Sequence, residues 1–479
     1  MLSSTKASIL CFLQKFTGNT ISLNILFVPR ENPLLPFASE LIPGNAIPAF
    51  AESKLKFVAR LIPSLESLPS PAIVDESVTL HTGLPGNAKN IFLALQDTFT
   101  ITLPSNELKS LPKNDTFIRK YLPRSYRNAF DFSHPRSPKY GVTDDAYLCA
   151  IKKESPPGKR VYSTDDVSWG KVFALALRQP VLAEQLGMIY KTTFELPVPG
   201  YFKEGGWLYV DLAEESDYYE RAVSDAVLIK KYAARLPKLT SKRVLFTPIQ
   251  FLVTEVPQNG NFDPLFIEAA DFDDGFANIV HCAQPQKANP ILEQGQDGLP
   301  PVKDFGIRIG WEDEQILDWH NRLLKRPDHL PSGIPATPEN IILDVPVGIL
   351  SYRIDVKDAD DPIGKWHSLN RAKGLLKIAD VELGLFEGEL GVEVAPTQMD
   401  GFKEGIFWLP SYFSQWDGNS VVLKDDKAAE LYGLQDAVPK AIKPVDIDLV
   451  PLRYGKTYEF RVRLADMTGG GPEESDDPH

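Results

Sequence analysis

Proline is the residue that most restricts how this chain can fold. The sequence has 40 prolines among 479 residues, about 8% against an average near 5%. Proline lacks a backbone N–H, so it interrupts helix interiors and central strands. This density favours short strands joined by proline-bounded loops. A chain of this length is also too long for one core and suggests roughly three domains.

Hydrophobic alternation predicts strands in the first part of the chain. Apolar residues at every second position indicate strands over residues 21–27 and 55–61. Residues 86–97 have helical spacing, and residues 1–16 read as a weak helix-like segment. We therefore predict an α+β or β-rich domain over residues 1–104.

Residues 105–140 differ from the rest of the chain because basic and aromatic side chains alternate there. The segment has eight Lys or Arg residues against three Asp or Glu residues, a pattern that can bind single-stranded nucleic acid or an anionic sugar. In a chain with a formal net charge of -13, such a segment more often pairs with its own surface. We interpret it as a connecting segment, and the net charge argues against nucleic acid or an anionic membrane as a general partner.

The middle of the chain predicts a second α+β domain over residues 141–258. A short helix near residues 180–187 leads into a strand at 188–196, and residues 216–236 have helical spacing. Residues 259–304 are linker-like, because they are rich in Gln, Pro, Gly and Asn with little apolar period.

The stretch LRYGKTYEFRVRLADMTGGGP at residues 452–472 resembles the penultimate strand of a fibronectin type III domain, with Tyr458 in the position of the tyrosine corner. The resemblance implies an immunoglobulin-like, fibronectin type III-like β-sandwich within residues 305–479, with Trp311 and Tyr458 in or against its core. It also implies that Tyr458→Phe costs about 1 to 3 kcal/mol. The overall expectation is a multidomain, β-rich chain with an α+β N-terminal part.

Two departures from that family are visible in the sequence. A helix at residues 312–325 and a long stretch between Trp366 and Leu452 are inserts. The acidic residues 473–479 are also a poor seventh strand. We therefore expect a piece of a longer protein, with the edge of the Tyr458 strand left open or paired by an insert between residues 366 and 451.

The cysteines and the apolar runs indicate a soluble chain without a Sec-type signal peptide or a membrane span. Three widely spaced cysteines, Cys11, Cys149 and Cys282, make no disulfide framework. We interpret them as small buried thiols.

Common catalytic signatures are missing from the sequence, including GxSxG, HExxH and the phosphate-binding loop. His320 reads as a structural histidine, and the neighbours His281 and Cys282 point to opposite faces of an extended backbone. Two acidic clusters could bind a hard cation, although each departs from known calcium loops. They are Asp271, Asp273 and Asp274, and Asp358, Asp360 and Asp361.

The sequence therefore favours a noncatalytic structural or protein-interaction component of a larger multidomain protein or assembly. Its partner would be another protein or a second copy, and no catalytic, cofactor-binding or metal-binding residue is assigned. The alternative is a carbohydrate-binding or glycoside hydrolase type protein, in which Trp408, Tyr412 and Trp416 stack on sugar rings beside a carboxylate pair.

Overall fold

The structure is a computed structural model of the chain. It describes residues 6–30, 47–63, 75–83, 87–99, 176, 180–224, 229–236, 238–239, 252–255, 276–283, 307–311, 349–361, 363–378, 381–393, 397–398, 407–408, 412–416, 418, 420–422, 442–444 and 450–476.

Antiparallel strands dominate the described residues and helices are few, which confirms the β-rich prediction. The strands of the first half are β1 (Lys6–Thr17), β2 (Thr20–Arg30), β3 (Phe57–Ile62), β4 (Glu76–Leu80), β5 (Ile189–Glu195), β6 (Gly206–Leu212), β7 (Ile229–Leu236) and β8 (Leu252–Glu255). Those of the second half are β9 (Phe276–Ala283), β10 (Ile307–Trp311), β11 (Ile349–Asp358), β12 (His367–Ser368), β13 (Arg371–Ile378), β14 (Val381–Glu389), β15 (Val392–Glu393), β16 (Thr397–Gln398), β17 (Phe407–Trp408), β18 (Tyr412–Trp416), β19 (Ile442–Pro444) and β20 (Tyr458–Asp466). The helices are α1 (Ala88–Phe99), α2 (Pro180–Gln185) and α3 (Tyr219–Ser224), with one 3-10 turn at Ala49–Glu52.

Strand β1 lies where the sequence predicts a helix-like segment over residues 1–16, so that prediction is wrong. It forms a hairpin with β2, which confirms the strand predicted over residues 21–27. Thr17 pairs with Thr20 across a two-residue loop, and Gly18 has a φ of 65°. This left-handed conformation matches the hairpin turns that fit the twist of the flanking strands. Residues 9–13 are all buried, and a strand covered on both faces has a continuous apolar run that its period cannot distinguish from a helix.

The first sheet has the strand order β4-β3-β6-β7-β1-β2-β5, with β8 also paired to β7. It takes strands from both segments predicted as N-terminal domains, residues 1–104 and 141–258. Its two end strands contact each other, and Thr192 Oγ1 donates to the carbonyl of His81 at 3.0 Å. The sheet therefore curls until its ends meet. The helix predicted over residues 216–236 is confirmed only at α3, because residues 229–236 form β7.

Aromatic side chains fill the space inside this curled sheet. Phe27, Phe57, Phe92 and Phe202 are fully buried. The Phe57 and Tyr190 rings meet edge to face with centroids 5.0 Å apart, a favourable geometry for an aromatic pair. Helix α1 supplies Phe92 to this core, which confirms the helix predicted over residues 86–97.

The second sheet has the order β12-β11-β20-β9-β10-β18. The short strand β15 also pairs with β11. Strand β9 comes from the segment predicted as linker-like, and it pairs with β20. The edge of the Tyr458 strand is thus paired by β9 within residues 276–283. Both predicted outcomes, an open edge and pairing by an insert between residues 366 and 451, are therefore wrong. The remaining strands form two small sheets, β14-β13-β19 and β16-β17.

One face of the β11–β20 pair packs into two cores. Tyr352, Val462 and Leu464 belong to the same hydrophobic core as the first sheet. Ile354 and Trp416 belong to a second, smaller core. The second sheet therefore lies against the first, and its opposite face carries the candidate site.

Candidate functional site

The charged residues of β11 and β20 meet on the face opposite to their apolar residues. The antiparallel register places Lys357 across from Glu459, Asp355 across from Arg461, and Arg353 across from Arg463. Opposite side chains in such a pair lie about 5 Å apart at Cβ, close enough to interact directly. The alternation of each strand thus separates an apolar face from a charged face.

Asp355 and Arg463 are the centre of this face, and both side chains are fully buried. Arg463 holds Asp355 in a two-pronged contact, with Nη2 2.6 Å from Oδ1 and Nε 2.8 Å from Oδ2. Arg461 adds a third bond, with Nε 2.6 Å from Oδ2 of Asp355. A parallel pair of N–H donors on one carboxylate is the strongest common ion-pair geometry in proteins.

Glu389, at the end of β14, binds the other side of the Arg463 guanidinium. Its Oε2 lies 3.0 Å from Nη1, and its Oε1 accepts from Nη2 and from the hydroxyl of Ser368. Arg353 approaches the same carboxylate, with Nε 3.8 Å from Oε2. We call Arg353, Asp355, Glu389, Arg461 and Arg463 the ionic cluster.

The charges of the ionic cluster stabilise each other against burial. Burial disfavours an ionised Glu389, but the hydrogen bonds and positive charges of Arg463 and Arg353 outweigh it and lower the pKa of Glu389. Burial also disfavours the Arg463 cation, yet its bonds to Glu389 and Asp355 raise the pKa of Arg463. Both groups are therefore fixed in their charged forms at neutral pH, and neither is poised to exchange a proton.

Nη groups of Arg353, Arg461 and Arg463 also bind the main chain of residues 469–476, which we call the strap. Arg463 Nη1 lies 2.9 Å from the carbonyl oxygen of Pro472. Arg461 Nη1 lies 3.0 Å from that of Asp476, and its Nη2 donates to that of Glu474. Arg353 donates to the carbonyls of Gly469 and Pro472. Every one of these contacts uses a backbone carbonyl, so the arginines hold the path of the strap and not its side chains.

The glycines of the strap are required by its close approach to other backbone. Gly469 and Gly471 have φ values of 72° and 137°, which side-chain-bearing residues rarely adopt. A Cβ at Gly471 would lie 2.2 Å from the carbonyl oxygen of Leu464, and one at Gly470 would lie 2.2 Å from Oε1 of Gln14. The Gly-rich sequence therefore allows the chain to turn directly back onto β20 and β1.

Asp466 fixes the start of the strap to the β1–β2 hairpin. Its Oδ1 accepts from the amides of Thr468, at 2.7 Å, and Gly470, at 3.2 Å, and its Oδ2 accepts from Gln14 Nε2 at 2.7 Å. Complete burial raises the pKa of Asp466 despite these bonds. Asn24 Nδ2 donates to Thr468 Oγ1 at 2.8 Å. At the other end of the strap, Lys15 Nζ lies 2.8 Å from Oδ1 of Asp476.

The Tyr458 hydroxyl is hydrogen-bonded to the main chain a few residues upstream. Its hydroxyl donates to the carbonyl of Pro451 and accepts from the amide of Arg453, both at 2.8 Å. Its ring meets Trp416 edge to face with centroids 5.1 Å apart. Trp416 is fully buried, so it cannot stack on a sugar. The side chains of Trp311, Trp408 and Tyr412 lie outside the described residues.

The acidic cluster predicted at residues 358–361 forms a turn closed by a lysine. Asp358 Oδ1 accepts from the amide of Asp360, and Asp361 Oδ1 accepts from the amide of Ile363, both at 3.0 Å. Lys456 Nζ lies 3.4 Å from a carboxylate oxygen of both Asp358 and Asp360. An ammonium group therefore occupies the position proposed for a metal ion.

The other predicted features fall partly outside the described residues. Cys11 is buried, its Sγ donates to the carbonyl of Leu208, and burial raises its pKa to about 12, which fits an inert thiol. Outside the description lie residues 105–140, Asp271, Asp273, Asp274, Cys149 and His320, and the side chains of His281 and Cys282. Within the described ranges, no group of three or more His, Cys, Asp or Glu side chains could hold a metal ion.

No helix in the described part of the chain is long and apolar enough to cross a membrane.

Comparison with known proteins found no relative of this chain. No family model, no curated protein and no solved structure matches it.

Proposed function

We propose that this chain is a noncatalytic structural or protein-interaction component of a larger multidomain protein or assembly. The observation that supports the proposal is the internal pairing of the ionic cluster. Asp355 and Arg463 are fully buried and bonded to each other, and arginine Nη groups hold the strap. A catalytic cluster would need an accessible group with a pKa near the working pH, whereas these charges act as a fixed brace.

Hydrogen bonds and an ion pair beside the ionic cluster join parts of the chain that are far apart in sequence. Gln14 binds Asp466, Asn24 binds Thr468, and Lys15 binds Asp476. The first two contacts tie the first sheet to the end of β20 and the turn after it, and the third ties it to the strap. The second sheet holds the strap from its charged face. A connection of this kind between two sheets suits a protein that holds other components in position.

We further propose that the C-terminal part is a fibronectin type III-like sandwich with inserts. The support is the Tyr458 hydroxyl, which binds the backbone at Pro451 a few residues upstream, as the tyrosine corner of such domains does. The β9 strand beside β20 departs from the simple family pattern, because it comes from before residue 305.

The proposal is tested by asking whether the purified full chain associates or turns over a substrate. Sedimentation velocity over a wide concentration range, and crosslinking in extracts of the source cells followed by mass spectrometry, should find a defined complex with a second copy or one partner protein. Leu385 and Tyr454 are suitable probes because both are large, apolar and exposed. Serine at either position should leave folding intact and weaken a complex that uses that surface.

Turnover of an oligosaccharide panel by a chain that remains monomeric at every concentration would contradict the proposal. It would favour the glycoside hydrolase alternative, for which a carboxylate pair would then be identified by substitution.

A further inference from the structure

The strap contains one acidic side chain that opposes its own docking. Glu474 is partly buried, and its backbone carbonyl accepts from Arg461 Nη2. Its side-chain Oε1 is buried and makes no hydrogen bond among the described residues. A buried carboxylate oxygen without a donor is costly when it is charged and much less so when it is protonated.

The groups around Glu474 come from four strands and their charges are opposed. The carboxylates of Asp355 on β11 and Glu389 on β14 repel it, and the guanidinium groups of Arg371 on β13 and Arg463 on β20 attract it. Burial has the largest effect, and together with the two carboxylates it raises the pKa of Glu474 above its ordinary value of 4.5. The two arginines do not reverse this, because Arg463 is already bonded to both of those carboxylates.

We propose that the strap is a proton-dependent latch, which closes most firmly over the ionic cluster when Glu474 is protonated and loosens when Glu474 ionises. The closed strap holds the Glu474 proton more tightly than the open strap does. The contribution of Glu474 to closure is therefore complete below the ordinary pKa of glutamate. It is lost as the pH rises through the raised pKa of Glu474 in the closed strap. Opening returns the two Nη donors of Arg461 to solvent, because their partners are strap carbonyls.

The ends of the strap are held by groups that do not depend on Glu474. Lys15 and Asp476 form an ion pair at one end, and this bond raises the pKa of Lys15. At the other end Asp466 is completely buried and its pKa is also raised. Ionisation of Asp466 therefore weakens closure of the strap, as ionisation of Glu474 does. A variant that changes Glu474 alone retains both contributions, and the difference from the native chain isolates the latch.

Amide hydrogen exchange of residues 470–476 in the full chain tests this inference. Protection factors, which correct for the intrinsic pH dependence of exchange, should fall by up to about tenfold per pH unit between the ordinary and the raised pKa of Glu474. In Glu474→Gln the fall should be shallower than in the native chain, because only the Asp466 contribution remains, and the strap should stay more protected at higher pH. That variant removes a repulsive charge, so we expect it to fold.

Glu473→Gln is the matched control, because Glu473 is the neighbouring residue of the same type and its side chain is exposed. This variant should keep the native pH dependence. The latch is refuted if native protection does not change with pH in this window, or if Glu474→Gln shows the same slope as the native chain and Glu473→Gln.

Discussion

Replacement of Arg463 by methionine removes the cation at the centre of the ionic cluster while keeping a long, flexible side chain. The native guanidinium bonds both oxygens of Asp355 at 2.6 and 2.8 Å, both oxygens of Glu389 and the carbonyl of Pro472 at 2.9 Å. After the substitution, Asp355 retains the single bond from Arg461, and Pro472 retains a long contact with Arg353.

The expected loss of stability is large because Asp355 has no access to solvent. Removal of one partner from a buried ion pair typically costs about 3 to 5 kcal/mol, and here Asp355 keeps only Arg461 as a partner among the described residues. A whole domain is stable by only about 5 to 15 kcal/mol. The substitution should therefore destabilise the second sheet strongly.

Lys357→Met provides a control on the same two strands and the same face. Lys357 pairs with Glu459 at 2.6 Å, but the two side chains are 24% and 49% exposed, and such surface pairs contribute about 0 to 1 kcal/mol. Urea unfolding followed by tryptophan fluorescence and circular dichroism compares the variants. Because a chain of this size need not unfold in one step, each transition is fitted separately with its own slope. If Arg463→Met shifts the transition of the second sheet no more than Lys357→Met does, the ionic cluster does not brace the fold.

Three further predictions use the same full chain. Tyr458→Phe should cost about 1 kcal/mol by urea unfolding, the lower end of the range expected from sequence, because its hydroxyl bonds are near solvent and water can replace part of them; a neutral result would contradict a role for the hydroxyl. Gly471→Ala should open the strap and increase its amide exchange, because the new Cβ would meet the Leu464 carbonyl. Gly83→Ala is the control, since nothing lies within 4 Å of a Cβ there, and it should leave exchange of the strap unchanged. Equal effects of the two substitutions would refute the steric argument. The chain should not shift single-stranded DNA at micromolar protein in a gel, and a salt-dependent shift would show that the basic segment at residues 105–140 binds nucleic acid.

Strands with one apolar face could be predicted from the sequence. The alternation over residues 21–27 predicts β2, and Tyr352, Ile354 and Val356 predict β11. The alternation at residues 458–464 predicts β20. These strands can be predicted because a period of two directly reflects which side chains face a core. β1 is not predicted as a strand, because both of its faces are covered and its apolar run has no period of two.

The ionic cluster could not be predicted from the same alternation. A period of two places Arg353, Asp355 and Arg461 opposite to the apolar face, and an isolated strand pair would leave that face in water. Here Glu389 and the strap cover it, and both come from elsewhere in the chain. The available signal was the match of charges across the pair, Lys357 with Glu459 and Asp355 with Arg461. Recognising it requires the register of two strands about a hundred residues apart, which periodicity does not provide.

The contact between the hairpin and the end of β20 depends on a further irregularity. The pairing of β1 with β2 shifts between Leu13 and Lys15, so Gln14 is an extra residue in the ladder. A bulge of this kind redirects a side chain, and Gln14 donates to Asp466, 452 residues away. Closing so long a loop costs only slightly more entropy than closing a shorter one, because the cost grows with the logarithm of loop length. The strap itself belongs to no strand or helix and is held by side-chain contacts to distant parts of the chain. It is therefore the segment where one titrating carboxylate can have a measurable effect.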